Sequence, residues 1–150
     1  MIHRILSLLF VSFCSIALTA RAEDSAKVLE SFQGAWEMAS VVDNGTAIPT
    51  DAIRGARVVF TKDIMTLISP NGKEKTEYLI KLDPTRTPKA IDITPTEGTF
   101  KGKRGPGIYE IDQGVLRICQ PHQPTTPRPT RFEAPEGSGL NLMVLKRMKN

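Results

Sequence analysis

Turn residues cut this chain at short intervals. "PNGK", "DPTRTP", "DQG" and "PEGSG" all interrupt it, and Asn44-Gly45 marks an earlier turn. Glycine and asparagine reach the left-handed backbone that tight turns require, and proline pre-sets the first turn position. Between these breaks the apolar residues alternate with polar ones. The runs are "ARVVFT" (56–61), "IMTLIS" (64–69), "TEYLIKL" (76–82), "KAIDIT" (89–94), "IYEI" (108–111), "VLRICQ" (115–120), a brief "RFE" (131–133) and "LNLMVLKRM" (140–148). A first run starts at Ala35, with Trp36, Met38, Ser40 and Val42 on one face and Glu37 and Val41 on the other. Period two over short runs is the mark of half-buried strands. No long helical period separates the runs, which excludes parallel βαβ units. The prediction is an all-β chain, a small antiparallel up-and-down β-barrel of about eight strands.

Two short helices are expected beside the strands. Asp24 or Ser25 can cap one that runs through Phe32, with Val28, Leu29 and Phe32 on one face and Gly34 ending it. "PTDAIRG" suits a single turn, with Thr50 as cap and Gly55 as stop. The alternation assigns an inward set: Trp36, Met38, Val42, Val58, Phe60, Tyr78, Ile80, Leu82, Ile91, Ile93, Tyr109, Ile111, Leu116, Ile118, Leu142 and Val144. A barrel of about eight strands has room for side chains or one small ligand. Many of these residues are bulky, so a mostly filled barrel or one with a small cavity is expected.

The first 22 residues have a different character. A basic start (His3, Arg4) precedes an apolar run from Ile5 to Leu18, and Ala20-Arg21-Ala22 supplies small residues where a signal peptidase cuts. The run is shorter than the roughly 20 residues of a membrane span. Residues 1–22 are therefore expected to be a signal peptide, with Glu23 as the mature N-terminus of a periplasmic or secreted domain, 23–150. Arg4 and Arg21 leave with the leader, so of 20 Lys and Arg the mature chain keeps 18, against 16 Asp and Glu. No basic stripe forms and aromatics are few, which argues against nucleic acid. Cys14 also leaves, so Cys119 stays alone and no internal disulfide is available.

Gly34-Ala35-Trp36 at the start of the first strand resembles the Gly-x-Trp signature of lipocalin-like (calycin) barrels. The resemblance implies that Trp36 closes the bottom of the barrel and that Lys146 or Arg147 covers it. Along "FQGAWEMASVVDNG", "IRGARVVF", "KLDPTRTPKAIDITPTEG", "GIYEID", "LRIC", "RPTRF" and "GSGLNLMVLKR" the chain is similar to an exported domain of unknown function expanded in Planctomycetes, a small lipocalin-like family. That resemblance spans Phe32 to Arg147. It implies export and a lipocalin-like fold, and it carries over no catalytic residue.

Other candidate chemistry is sparse. Cys119 and His122 offer a nucleophile and a base, but three positions along a strand point to opposite faces and Pro121 breaks the strand between them. One His and one Cys in the mature chain do not make a structural zinc site, so neither metal nor cofactor is expected. "DPTRTPKAID" suits fixing strand register. "TPTEGTFKGKRGPG" lacks the Gly-Lys-Ser/Thr ending and the following helix of a phosphate loop. Arg117, Arg128 and Arg131 can hold a carboxylate or phosphate, or pair with Glu110 and Glu133 on the surface. Tyr78 and Tyr109 are the polar anchors expected inside the barrel. The expected function is non-enzymatic: a monomer without a membrane span that binds a small apolar ligand or an extracytoplasmic protein at the open end. The alternatives are a protease-inhibitor-like module acting through the Pro-rich loop 121–129 and, least favoured, a hydrolase acting through Cys119.

Overall fold

The computed structural model describes residues 24–149; the leader and Glu23 lie outside them. A first helix, α1, covers residues 24–32. Nine strands and one further helical turn follow: β1 (Gly34–Asp43), β2 (Thr46–Ala47), α2 (Thr50–Ile53), β3 (Arg57–Thr61), β4 (Ile64–Ile68), β5 (Lys75–Asp83), β6 (Ala90–Pro95), β7 (Gly105–Asp112), β8 (Val115–Pro121) and β9 (Leu140–Arg147). All pairings are antiparallel, β1 bonds both β3 and β9, and eight strands close into an up-and-down barrel with β2 as a short extra strand on β1. Among the described residues no helix is long and apolar enough to cross a membrane.

The barrel has two unlike ends. The short turns at 62–63, 84–89 and 113–114 share one end with α1 and the end of β9. There α1 plugs the barrel. Phe32 is fully buried and meets Phe60 and Tyr109 edge to face, with ring centroids 5.2 Å apart in both cases. Val28 and Leu29 pack on the core beside it. Each edge-to-face pair adds about 0.5–1.5 kcal/mol beyond area burial. The longer connections, 44–56, 69–74, 96–104 and 122–139, ring the opposite, open end.

Several expectations are corrected by this arrangement. Phase slips in β1, where the register with β9 shifts between Met38 and Ser40. That bulge turns Val41 inward, opposite Met143, and moves Val42 and Leu142 off the core side. In β9 the buried residues are Met143 and Leu145, so Val144 faces away. "RFE" forms no strand, and Gly105-Pro106-Gly107 belongs to β7 rather than to a loop. At α2 the N-cap is Pro49, with no side-chain cap from Thr50.

Not every buried residue lies inside the barrel. Ala90, Ile108 and Cys119 are cross-strand neighbours on the outward faces of β6, β7 and β8, yet all three are buried. The segment 122–139 straps across them. Cys119 Sγ donates to the Glu133 carbonyl at 3.5 Å, and Arg128 reaches the carbonyls of Ile91 and Gly107. Gly107 is needed here, because a Cβ would stand 2.9 Å from the Cys119 carbonyl oxygen. The chain therefore has a main core inside the barrel and a small second one under the strap.

Candidate functional site

Inward-facing rows change character along the barrel axis. Leu116 and Ile118 continue into Gln120, Leu145 and Met143 into Asn141, Leu82 and Ile80 into Tyr78, and Met65 into Leu67. Each row is apolar toward the plugged end, and three of the four turn polar at the open end. Those terminal residues line a cavity of about 300 Å³. Leu67, Ile93 and Met143 make its apolar wall, Phe100 and Lys103 reach it from the β6–β7 loop, and His122 and Pro124 from the strap. The volume lies at the lower bound of about 300–1,000 Å³ typical of small-molecule sites.

Its polar groups are few and distinct. Asn141 Oδ1 is buried and has no hydrogen-bond partner among the described residues. A buried acceptor left unpaired costs about 1–3 kcal/mol, a cost that a ligand donor would remove. Tyr78 is half-buried at the mouth, and burial raises its pKa above the ordinary tyrosine value, with the Glu97 carboxylate adding to the effect. His122 Nε2 sits 2.5 Å from Asp43 Oδ1, which ties the start of the strap to the end of β1. Lys103 lies over the Phe100 ring, 6.0 Å from its centre.

Tyr109 is placed far from Tyr78. It sits beside Phe32 at the plugged end, almost fully buried, and its hydroxyl has no hydrogen-bond partner among the described residues. Burial, with a smaller contribution from Asp83, pushes its pKa up to about 12. The two tyrosines anticipated as joint anchors therefore do not converge. The two arginines proposed with them lie outside the barrel. Arg117 pairs with Glu110 at 3.5 Å and lies over the Phe132 ring at 5.0 Å. Arg128 Nη2 donates to Asp92 Oδ1 at 2.6 Å while Nη1 caps the two strand carbonyls. Arg131 stands 3.6 Å from Glu133.

The plugged end has its own device. Gly34 takes φ +100° to turn the chain from α1 into β1, a conformation that suits glycine. Trp36 then enters the barrel floor fully buried, with Nε1 donating to the Phe32 carbonyl at 2.7 Å. Arg147 lies over Trp36, its guanidinium carbon 4.2 Å from the ring centre. It also donates to the carbonyls of Gln33, at 2.9 Å, and Ser31, both at the end of α1. Lys146 is exposed, paired in register with Glu37 and Val115. Of the two basic residues, Arg147 forms the cover.

Cys119 and His122 are engaged separately. Cys119 is wholly buried under the strap, and burial raises its pKa, the Glu133 carbonyl contact offsetting part of that rise. A raised pKa suppresses the thiolate that nucleophilic chemistry requires. Among the described residues no three His, Cys, Asp or Glu side chains gather where they could hold a metal ion.

Sequence reasoning missed Gln120, Asn141, Phe100, Lys103 and His122 as cavity residues. The signal for two of them was present. Gln120 continues the Leu116–Ile118 row, and Asn141 shares its phase with Met143 and Leu145. A polar residue at the end of an apolar row marks a mouth. Phe100, Lys103 and His122 come from loops, where period two carries no information. No protein-family model matches this chain, and no curated protein or solved structure matches it either.

Proposed function

We propose that this chain is an exported, non-enzymatic, lipocalin-like barrel that takes a small, largely apolar ligand into its open end. The observation that carries this reading is the mouth cavity of about 300 Å³, with an apolar wall and the buried, unpaired Asn141 Oδ1. Tyr78 and Gln120 are further polar groups on its wall. Support for export comes from the leader-like residues 1–22 and from the family resemblance. The closed end is occupied by Phe32, Trp36, Phe60 and Tyr109, which leaves the mouth as the space inside the barrel for a guest.

Titration of the purified protein with a neutral apolar fluorophore, N-phenyl-1-naphthylamine, tests the site. The expected result is saturable one-site binding that Gln120→Trp weakens by about tenfold or more, by filling the cavity. Absence of saturable binding, or binding that Gln120→Trp leaves unchanged, overturns the proposal. A second reading, insertion of the strap into a partner's cleft, draws on the anchoring of its Pro-rich part, 123–127, on either side, by Asp43–His122 and by Arg128. A loop so held loses little freedom on binding. Replacing residues 125–127, which do not line the cavity, with a glycine–serine segment separates the two: it leaves fluorophore binding in place and abolishes any inhibition of a protease.

A further inference from the structure

A second recess, of about 180 Å³, lies on the outer wall where β5, β6 and the strap meet. Four cations line it: Lys81 from β5, Arg86 from the β5–β6 turn, Arg104 from the β6–β7 loop and Arg128 from the strap. Only two carboxylates, Asp83 and Asp92, stand against them. Asp92 receives Arg128 on one oxygen at 2.6 Å and Arg104 on the other at 3.1 Å, so its charge is already shared between two guanidinium groups that it holds in place. Asp83 accepts from the Thr85 amide and hydroxyl within the turn. Lys81 and Arg86 have no ion-pair partner among the described residues. The recess thus holds two positive charges more than negative ones. Like charges brought together repel, and a bound anion reverses the sign of that energy.

We propose that this recess binds a tetrahedral oxyanion, a phosphate or sulfate group. The cations converge from four separate segments, so they meet an anion from different directions. A tetrahedral group offers oxygens to all of them, whereas a planar carboxylate would satisfy one guanidinium fork. The volume is below that of an ordinary small-molecule site and suits a headgroup rather than a nucleotide. The excess of two positive charges matches a dianion. Asp92 is a positioning residue, and Lys81, Arg86 and Arg104 supply the donors that remain open to the ligand.

Calorimetric titration of the full protein at low ionic strength tests the site, with inorganic phosphate, sulfate and phenyl phosphate as probes. Saturable one-site binding of inorganic phosphate is expected, weakened about three- to tenfold by Lys81→Ala and again by Arg86→Ala. Both side chains are exposed, so these variants fold, whereas Arg128 substitutions would loosen the strap. Lys73→Ala, at the far end of the barrel, is expected to bind as the parent does. If phenyl phosphate binds as well as phosphate, the recess takes a headgroup on a carrier; if it binds much more weakly, the recess takes the free ion. Absence of saturable binding for all three probes overturns the proposal. So does binding that the Lys81→Ala, Arg86→Ala double variant leaves intact, or that Lys73→Ala weakens equally.

Discussion

Arg147 shows how one side chain can serve two purposes at a barrel's end. Its guanidinium group lies over Trp36 while its N–H groups bond two carbonyls at the end of α1. Lysine has a point charge and cannot stack and bridge together. Arg147→Ala is expected to cost about 1–2 kcal/mol in denaturant melts, with Arg147→Lys recovering less than half. Full recovery by lysine would show that charge alone matters. Trp36→Ala, which empties the floor itself, should cost about 3–5 kcal/mol. Tyr109 offers the opposite case. Its buried hydroxyl has no partner among the described residues, so Tyr109→Phe is expected to stabilise the protein by about 1 kcal/mol. Because the folded pKa is raised, to about 12, the protonated form favours the fold. That contribution is complete below the unfolded value near 10 and is lost as pH rises through about 12. Between those limits the parent should lose about 2 kcal/mol more than Tyr109→Phe, read from paired melts at each pH. Equal losses would mean that the hydroxyl is solvated.

Elements differ in how much of their placement the sequence discloses. Where a strand is regular, alternation suffices: Val58 and Phe60 in β3, Ile80 and Leu82 in β5, and Leu116 and Ile118 in β8 were all assigned inward and are buried. Where backbone geometry intervenes, it fails. The bulge in β1 depends on pairing with β9, a partner about a hundred residues away, and no local signal announces it. The strap is a stronger example. Ile108 and Cys119 sit at outward positions, and only the fold-back of segment 122–139 buries them. Tyr78 was legible as an inward-facing polar residue, though not as one at the mouth, whereas Arg128 was not legible as a strap anchor. Its partners, Asp92 and the carbonyls of Ile91 and Gly107, come from β6 and β7. Arg128→Ala should cost about 2–3 kcal/mol, since it leaves Asp92 and two strand carbonyls short of a donor. It should also make Cys119 accessible to thiol reagents; a fall in stability without faster labelling would refute the strap's covering role.

At the scale of the whole molecule, the barrel is solid at one end and hollow at the other, and this division separates the packed core from the cavity. Phe32, Trp36, Phe60 and Tyr109 fill the plugged end, closed by the short turns at 62–63, 84–89 and 113–114. The mouth is bounded by half-buried side chains and by two of the longer connections, 96–104 and 122–139. Local opening draws on regions with few buried contacts, so the two ends should differ in exchange behaviour. Amide hydrogen exchange is expected to be slowest in the plugged-end halves of β1, β3, β8 and β9, where it tracks global unfolding. Amides in 96–104 should exchange several orders of magnitude faster, without any loss of the barrel. Adding the mouth probe should slow exchange around Gln120 and Asn141 and leave the plugged end unchanged, because that end is already packed. Uniform protection along β8 and β9, or slowing confined to the region of α1, would place the mobile end of the barrel and its guest elsewhere.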